Sequence, residues 1–211
     1  VCTRDRAAAL RATLESLRAQ TLPRDLFEIV VVDDGSRDET AEVARSCEAA
    51  LPLRHSRQRP AGKASARNHA LFLARGAVLL FLDDGEVAEP ALLEAHLDAH
   101  RLFPEQSFAV LGQAGLAPAL AADPLMRFLE RSQILPLRPD AGDGALLHAG
   151  LFRADRSSCK RRFLLEHGVF DPTFRSAWED VELAARLSRH GFRVVYAARA
   201  RTAVARAFTV A

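Results

Sequence analysis

The sequence predicts an α/β domain: a Rossmann-like, mostly parallel sheet sandwiched by helices, with an extension toward its C-terminal end. Three observations carry this. Apolar runs at 27–32 and 78–82 are short and continuous, as in strands buried on both faces of a parallel sheet. Segments with apolar residues at helical spacing lie between such runs. Gly and Pro punctuate the junctions. Strands alternating with helices in this way give an α/β architecture.

Each element can be read from its residues. Val1-Cys2-Thr3 reads as the end of a strand, so the true start, or a larger parent protein, is expected upstream. Leu10, Leu14 and Leu17 predict an amphipathic helix over 6–20. The strand at 27–32 is followed by a helix over 38–50, broken at Pro52, and by a weak strand at 53–56. Gly62 precedes a helix over 64–75 that Gly76 ends. Next come a strand at 78–82, a helix over 91–102 opened by Pro90, and a strand at 108–112. After Gly115 the rhythm changes: Pro118, Pro124, Pro136 and Pro139 accompany a short helix near 125–132 and a loop. A strand at 146–152, helices over 162–167 and 177–190, and a strand at 193–196 complete the chain.

With 49% apolar residues in 211, one domain with a substantial core is expected. The net charge of +2 is spread along the chain, which argues against nucleic acid as a partner. Its densest basic cluster, Cys159-Lys160-Arg161-Arg162, reads as a solvated face or as an anion contact. Cys2, Cys47 and Cys159 lack CxxC spacing and read as reduced thiols, hence a cytoplasmic protein, peripheral to a membrane or part of a larger chain. No apolar run approaches the roughly 20 residues that span a bilayer.

The chemistry gathers at strand ends, where open parallel sheets bind ligands. Asp33-Asp34-Gly35 and Asp83-Asp84-Gly85 each close an apolar run, and Thr3-Arg4-Asp5-Arg6 closes the first. Carboxylates this close repel, so a metal or an arginine is expected among them. The first tripeptide also admits a structural account, since Ser36 and Glu39 have capping-box spacing. In the second, Asp83, Asp84 and Glu86 suit Mg²⁺ or Mn²⁺ beside a phosphate. Ser176 and Glu179 form another capping-box pattern, which leaves Asp180 unexplained unless it is a general base kept ionised by the helix dipole. Arg67 is placed to bridge carboxylates or a diphosphate. His96 and His100 have i, i+4 spacing but no third ligand and read as packed or solvent-facing.

The ordered set is Thr3-Arg4-Asp5-Arg6, Phe27 to Ser36 with its Asp33-Asp34, Ala66-Arg67-Asn68, Phe81-Leu82-Asp83-Asp84, Phe170-Asp171 and Trp178-Glu179-Asp180-Val181-Glu182-Leu183. It resembles the family 2 glycosyltransferases of GT-A fold from about Thr3 to Tyr196. The resemblance implies inverting, non-processive sugar transfer from a nucleotide-diphosphate sugar, of UDP type as a family-level expectation, to a glycan, lipid or small-molecule acceptor. It implies a nucleotide-sugar half at about 1–115 and an acceptor half at about 116–211. Thr3, Arg6, Asp33, Asp34, Arg67, Asp83 and Asp84 would bind the donor. Asp83, Asp84 and Glu86 would hold Mn²⁺ or Mg²⁺, Asp180 would be the base, and Trp178 and Glu179 would face the acceptor. Two departures stand out. Gly85 occupies the place of an acid in the family's Asp-X-Asp, and the tail after 202 has no His, Arg206 being the nearest polar candidate. These departures admit a second expectation, a catalytically impaired nucleotide-sugar-binding module of a larger protein.

Overall fold

The computed structural model describes residues 1–132, 139–175 and 177–205. Pro136, Ser176 and Arg206 therefore lie outside the described residues. The chain runs β1 (Cys2–Thr3), α1 (Ala7–Arg18), β2 (Ile29–Asp33), α2 (Thr40–Glu48), β3 (Leu53–Arg57), α3 (Lys63–Leu73), β4 (Val78–Leu80), β5 (Glu86–Ala88), α4 (Leu92–Leu102) and β6 (Phe108–Leu116). It continues through α5 (Pro118–Ala121), α6 (Pro124–Arg131), β7 (Leu146–Leu147), β8 (Ser157–Lys160), α7 (Arg161–His167), α8 (Glu179–Ser188) and β9 (Arg193–Val204).

Two sheets result. In the first, β1, β2 and β3 lie side by side, all parallel. In the second, the order is β4-β8-β6-β9-β5 with β7 beside β9. There, among the described residues, β6 and β9 are parallel and the other pairs are antiparallel. A parallel bridge from Cys2 to Asp83 joins the two sheets. The sheet expected to be mostly parallel is thus parallel in its first part and mixed in its second. The reason is β8, which inserts antiparallel between β4 and β6. Its Ser-Ser-Cys-Lys sequence is fully buried yet carries no apolar signature.

Helices cover both sides. Leu10, Leu14 and Leu17 of α1 pack with Val31, Val43, Leu92 and Val110 in one core. The other core joins Leu71 and Phe81 to Phe152, Phe163, Phe170, Leu183, Leu187 and Phe192, so residues from early and late in the chain share one interior. Edge-to-face rings, such as Phe81 on Phe170 at 5.3 Å, fill it. Among the described residues no helix is long and apolar enough to cross a membrane.

Some local expectations change. The strand expected at 146–152 is only Leu146–Leu147, because the chain then turns through a 3₁₀ segment, Ala149–Leu151, in which His148 accepts the Gly150 N–H. Helix α2 begins at Thr40, and Asp38 accepts the Thr40 N–H, so Ser36 and Glu39 form no capping box. The basic cluster splits: Lys160 turns inward to the carbonyls of Phe103 and Glu105, while Arg162 pairs with Glu166 on the surface.

Candidate functional site

Thr3 is the joint of the site. Its carbonyl accepts the Asp34 N–H at 2.9 Å, and its hydroxyl donates to Asp84 Oδ2 at 2.8 Å. One buried residue at the end of β1 therefore touches both acidic tripeptides. Asp33 ends β2, fully buried, with its Oδ1 accepting the Ser36 N–H and its Oδ2 3.5 Å from Arg57 Nε. Both Asp34 oxygens are occupied by the loop ahead of α3: Oδ1 accepts from Gln58 Nε2 and the Ala61 N–H, and Oδ2 accepts from the Gly62 N–H. Gly35 has φ +79°, and a Cβ there would lie 2.6 Å from Pro60 Cδ, so only glycine lets this turn sit against that loop.

The second tripeptide is neutralised by side chains. Lys63 Nζ reaches Asp83 Oδ2 at 2.8 Å and Arg67 reaches Asp83 Oδ1 at 2.9 Å. Burial alone would raise the Asp83 carboxyl; the charges of Arg67 and Lys63 outweigh it and hold the group below its usual range. Arg67 also donates to the Ala154 carbonyl at 2.6 Å, pairs with Glu179, and lies over the Phe170 ring. Asn68 fixes that ring by exchanging two hydrogen bonds with the Phe170 backbone. Asp84 is buried beneath Thr3, with Arg6 Nε at 3.9 Å. Burial pushes its carboxyl up to about 6, against the Thr3 hydrogen bond and with the Asp83 charge adding to the rise.

The third element is the start of α8. Trp178 has φ +70° and is 71% exposed. Glu179 is buried and pairs with Arg67, the partner its carboxylate takes in place of a backbone cap. Asp180 accepts from the Val181 N–H at 2.9 Å and the Ala154 N–H at 3.3 Å, with Arg153 Nε at 3.9 Å. Arg67 and Asp180 thus hold the two sides of one peptide residue, Ala154. The structure brings together Thr3, Arg6, Asp83, Asp84, Arg67 and Glu179 through side-chain contacts and chain adjacency, and Asp180 joins them through the Ala154 peptide. Asp33 and Asp34 join through the Thr3 backbone, and Trp178 stands at the rim.

The expected metal set does not assemble. Glu86 starts β5, paired with β9, and its buried carboxyl is pushed up to about 7 by burial and by Asp155. Gly85 has φ +101°, its N–H donates to Thr13 Oγ1, and its carbonyl accepts from the Ala205 N–H. The backbone at that position is held inside the fold and Glu86 continues into a sheet. Among the described residues no three His, Cys, Asp or Glu side chains are grouped to hold a cation. A divalent ion would have to displace Lys63 and Arg67 from Asp83 and Thr3 from Asp84. The residues present do not fit it.

Sequence reasoning missed Lys63 and Arg57. The signal for Lys63 was present, since it lies four residues before Arg67 on one helix, the spacing that puts two side chains on one face. His96 and His100 are packed as expected, both hydrogen-bonded to Ser158 Oγ, with burial lowering each to about 3. An apolar cavity of about 370 Å³, lined by Val30, Ala70 and Leu79 among others, contains none of the site's carboxylates.

Comparison with known proteins gives the same outline. Residues 1–109 match the profile described as Glycosyl transferase family 2. The validoxylamine A glucosyltransferase of Streptomyces hygroscopicus subsp. jinggangensis is 44% identical over 100 residues, 46% of this chain and 24% of its own length. Among solved structures, S. aureus TarS 1-349 in complex with UDP-GlcNAc superposes with a TM-score of 0.76 at 18% identity, over 99% of this chain and 58% of that one. The mannosyltransferase PcManGT from Pyrobaculum calidifontis, in complex with GDP-Man and Mn²⁺, gives 0.69 at 21% identity, over 97% and 55%. These likenesses show a GT-A fold. The chain spans about a quarter of the length of that curated relative and little more than half of the two solved chains.

Proposed function

The chain belongs to glycosyl transferase family 2, and from that premise we propose that it transfers a sugar, with inversion and without processivity, from a nucleotide-diphosphate sugar to an acceptor hydroxyl. One observation carries the reading: Arg67 ties Asp83, at the donor-side strand end, to Glu179, whose neighbour Asp180 faces the same Ala154 peptide. Donor-side and acceptor-side acids therefore share one rigid support. In this reading the nucleoside lies against the first tripeptide, with Arg6 and Arg57 flanking it, and the diphosphate lies beside Asp83 and Asp84.

The reaction breaks the bond from the sugar's anomeric carbon to the diphosphate oxygen, which keeps the electron pair. The acceptor oxygen attacks from the opposite face and gives its proton to Asp180. Trp178 offers an exposed aromatic face beside it for the acceptor. The site does not fit the divalent ion expected from the resemblance. PcManGT is solved with GDP-Man and TarS with UDP-GlcNAc, which makes these two donors the first to assay.

The test is Asp180→Asn, assayed for transfer and for donor hydrolysis with UDP-GlcNAc and GDP-mannose. Transfer should fall by roughly 10²–10⁴-fold with donor binding unchanged. A full transfer rate in the variant overturns the assignment. A second reading, a nucleotide-sugar-binding module without turnover, is favoured by Gly85, where the expected acid is missing. Donor binding without turnover in the parent chain supports that module.

A further inference from the structure

We propose that Lys63 is the cation that meets the donor's diphosphate, in a site that works without a divalent metal; this rests on the transferase reading above. The two cations on Asp83 are not equivalent. The Arg67 side chain is 5% exposed, and its donors go to Asp83, Glu179 and the Ala154 carbonyl. The Lys63 side chain is 46% exposed, and its described hydrogen bond is the one to Asp83. An ammonium has three donors, so Lys63 keeps two for a ligand in the crevice. Its charge rides on a flexible stem, whereas the guanidinium is a planar fork locked by its partners.

The surroundings fix where that stem starts. Asp34 holds the Gly62 N–H, Gly62 has φ +94°, and a Cβ there would lie 2.7 Å from the Arg175 carbonyl. The first tripeptide thus anchors the helix start that delivers Lys63 to the second. When Lys63 swings toward a diphosphate, Asp83 keeps Arg67, so no buried carboxylate is left unpaired. The leaving diphosphate gains negative charge as its bond to the sugar breaks, and a preorganised cation beside it lowers that cost.

The experiment is binding of UDP and GDP by calorimetry, in EDTA and in Mn²⁺, to the parent chain, Lys63→Met and Lys63→Arg. Ligand-observed NMR with uridine and guanosine and a thermal melt of each variant accompany it. The parent should bind a diphosphate in EDTA to within about twofold of its affinity in Mn²⁺. Lys63→Met should lose roughly tenfold for that diphosphate, the size of one charge-assisted hydrogen bond, with nucleoside binding and melting temperature unchanged. Lys63→Arg should recover part of the loss. Diphosphate binding that appears only with Mn²⁺, or a Lys63→Met that binds as the parent does, overturns the proposal and leaves the transferase reading standing. Failure of all four probes in both conditions strikes the donor site itself, and the proposal with it.

Discussion

Asp33-Asp34-Gly35 and Asp83-Asp84-Gly85 are the same tripeptide, each following a short apolar run, yet they are neutralised by different chemistry. Asp34 takes two backbone N–H groups and the Gln58 amide from the loop before α3, and Asp33 takes the Ser36 N–H, with Arg57 Nε 3.5 Å from its other oxygen. Asp83 takes an ammonium and a guanidinium, and Asp84 takes a hydroxyl. Backbone donors cannot leave, so the first tripeptide is a fixed loop organiser. Of the donors on the second, Lys63 sits on a long, half-exposed stem, whereas Arg67 is buried and locked by its partners. The path of the chain beyond each glycine decides this. After Gly35 it enters a loop and α2, whereas after Gly85 it enters β5 and the second sheet.

The largest expected effect separates a hub from a loop. Arg67→Met leaves Asp83 with Lys63 alone and leaves buried Glu179 unpaired, which should cost about 3–5 kcal/mol. In a chain of this size the melting temperature should fall by roughly 10 °C or more, read by calorimetry or circular dichroism. A loss below about 1 kcal/mol would mean that the second tripeptide does not depend on its cations. The next effect tests the first tripeptide. Gly35→Ala meets both a left-handed backbone and Pro60, and should cost about 2–4 kcal/mol through strain and overpacking. An unchanged melting temperature would show that the Asp34 loop is not held against this turn.

How far the sequence foretold this depends on how local each cause is. Leu10, Leu14 and Leu17 announce α1 by spacing alone, and all three are buried. The alternation of runs was enough for the fold class and for the strand ends where the acids sit. Strand β8 was illegible because its partners are far away: Ser158 pairs with Leu80 and Val110 in the sheet, and its hydroxyl hydrogen-bonds to His96 and His100. Glu179 was read as a cap from its three-residue neighbourhood, and its real partner, Arg67, is 112 residues away. Lys63 was missed for a related reason. The i, i+4 spacing to Arg67 was visible, but the shared target on Asp83 exists only once α3 lies beside the end of β4.

The smallest effect is the most discriminating, because its sign is at issue. The Asp84 carboxyl is raised to about 6 when folded, chiefly by burial, against about 4 in an unfolded chain. Between those values the folded chain binds more protons than the unfolded one, so stability falls as pH rises through the window, and the cost is complete above about pH 6. An asparagine keeps an oxygen for the Thr3 hydroxyl and has no charge to bury. Asp84→Asn should therefore melt higher than the parent at pH 7.5, by on the order of 2 kcal/mol, with the gap closing toward pH 4.5. Glu86, also raised, is present in both proteins and cancels in the difference to first order. If the variant instead melts lower at pH 7.5 and the gap closes on acidification, Arg6 at 3.9 Å is stabilising an ionised Asp84. The two acids of the second tripeptide would then be alike, each held as an ion pair. The expected sign makes them complementary: Asp83 stays charged beside its cations, and Asp84 carries a burial cost that a proton relieves.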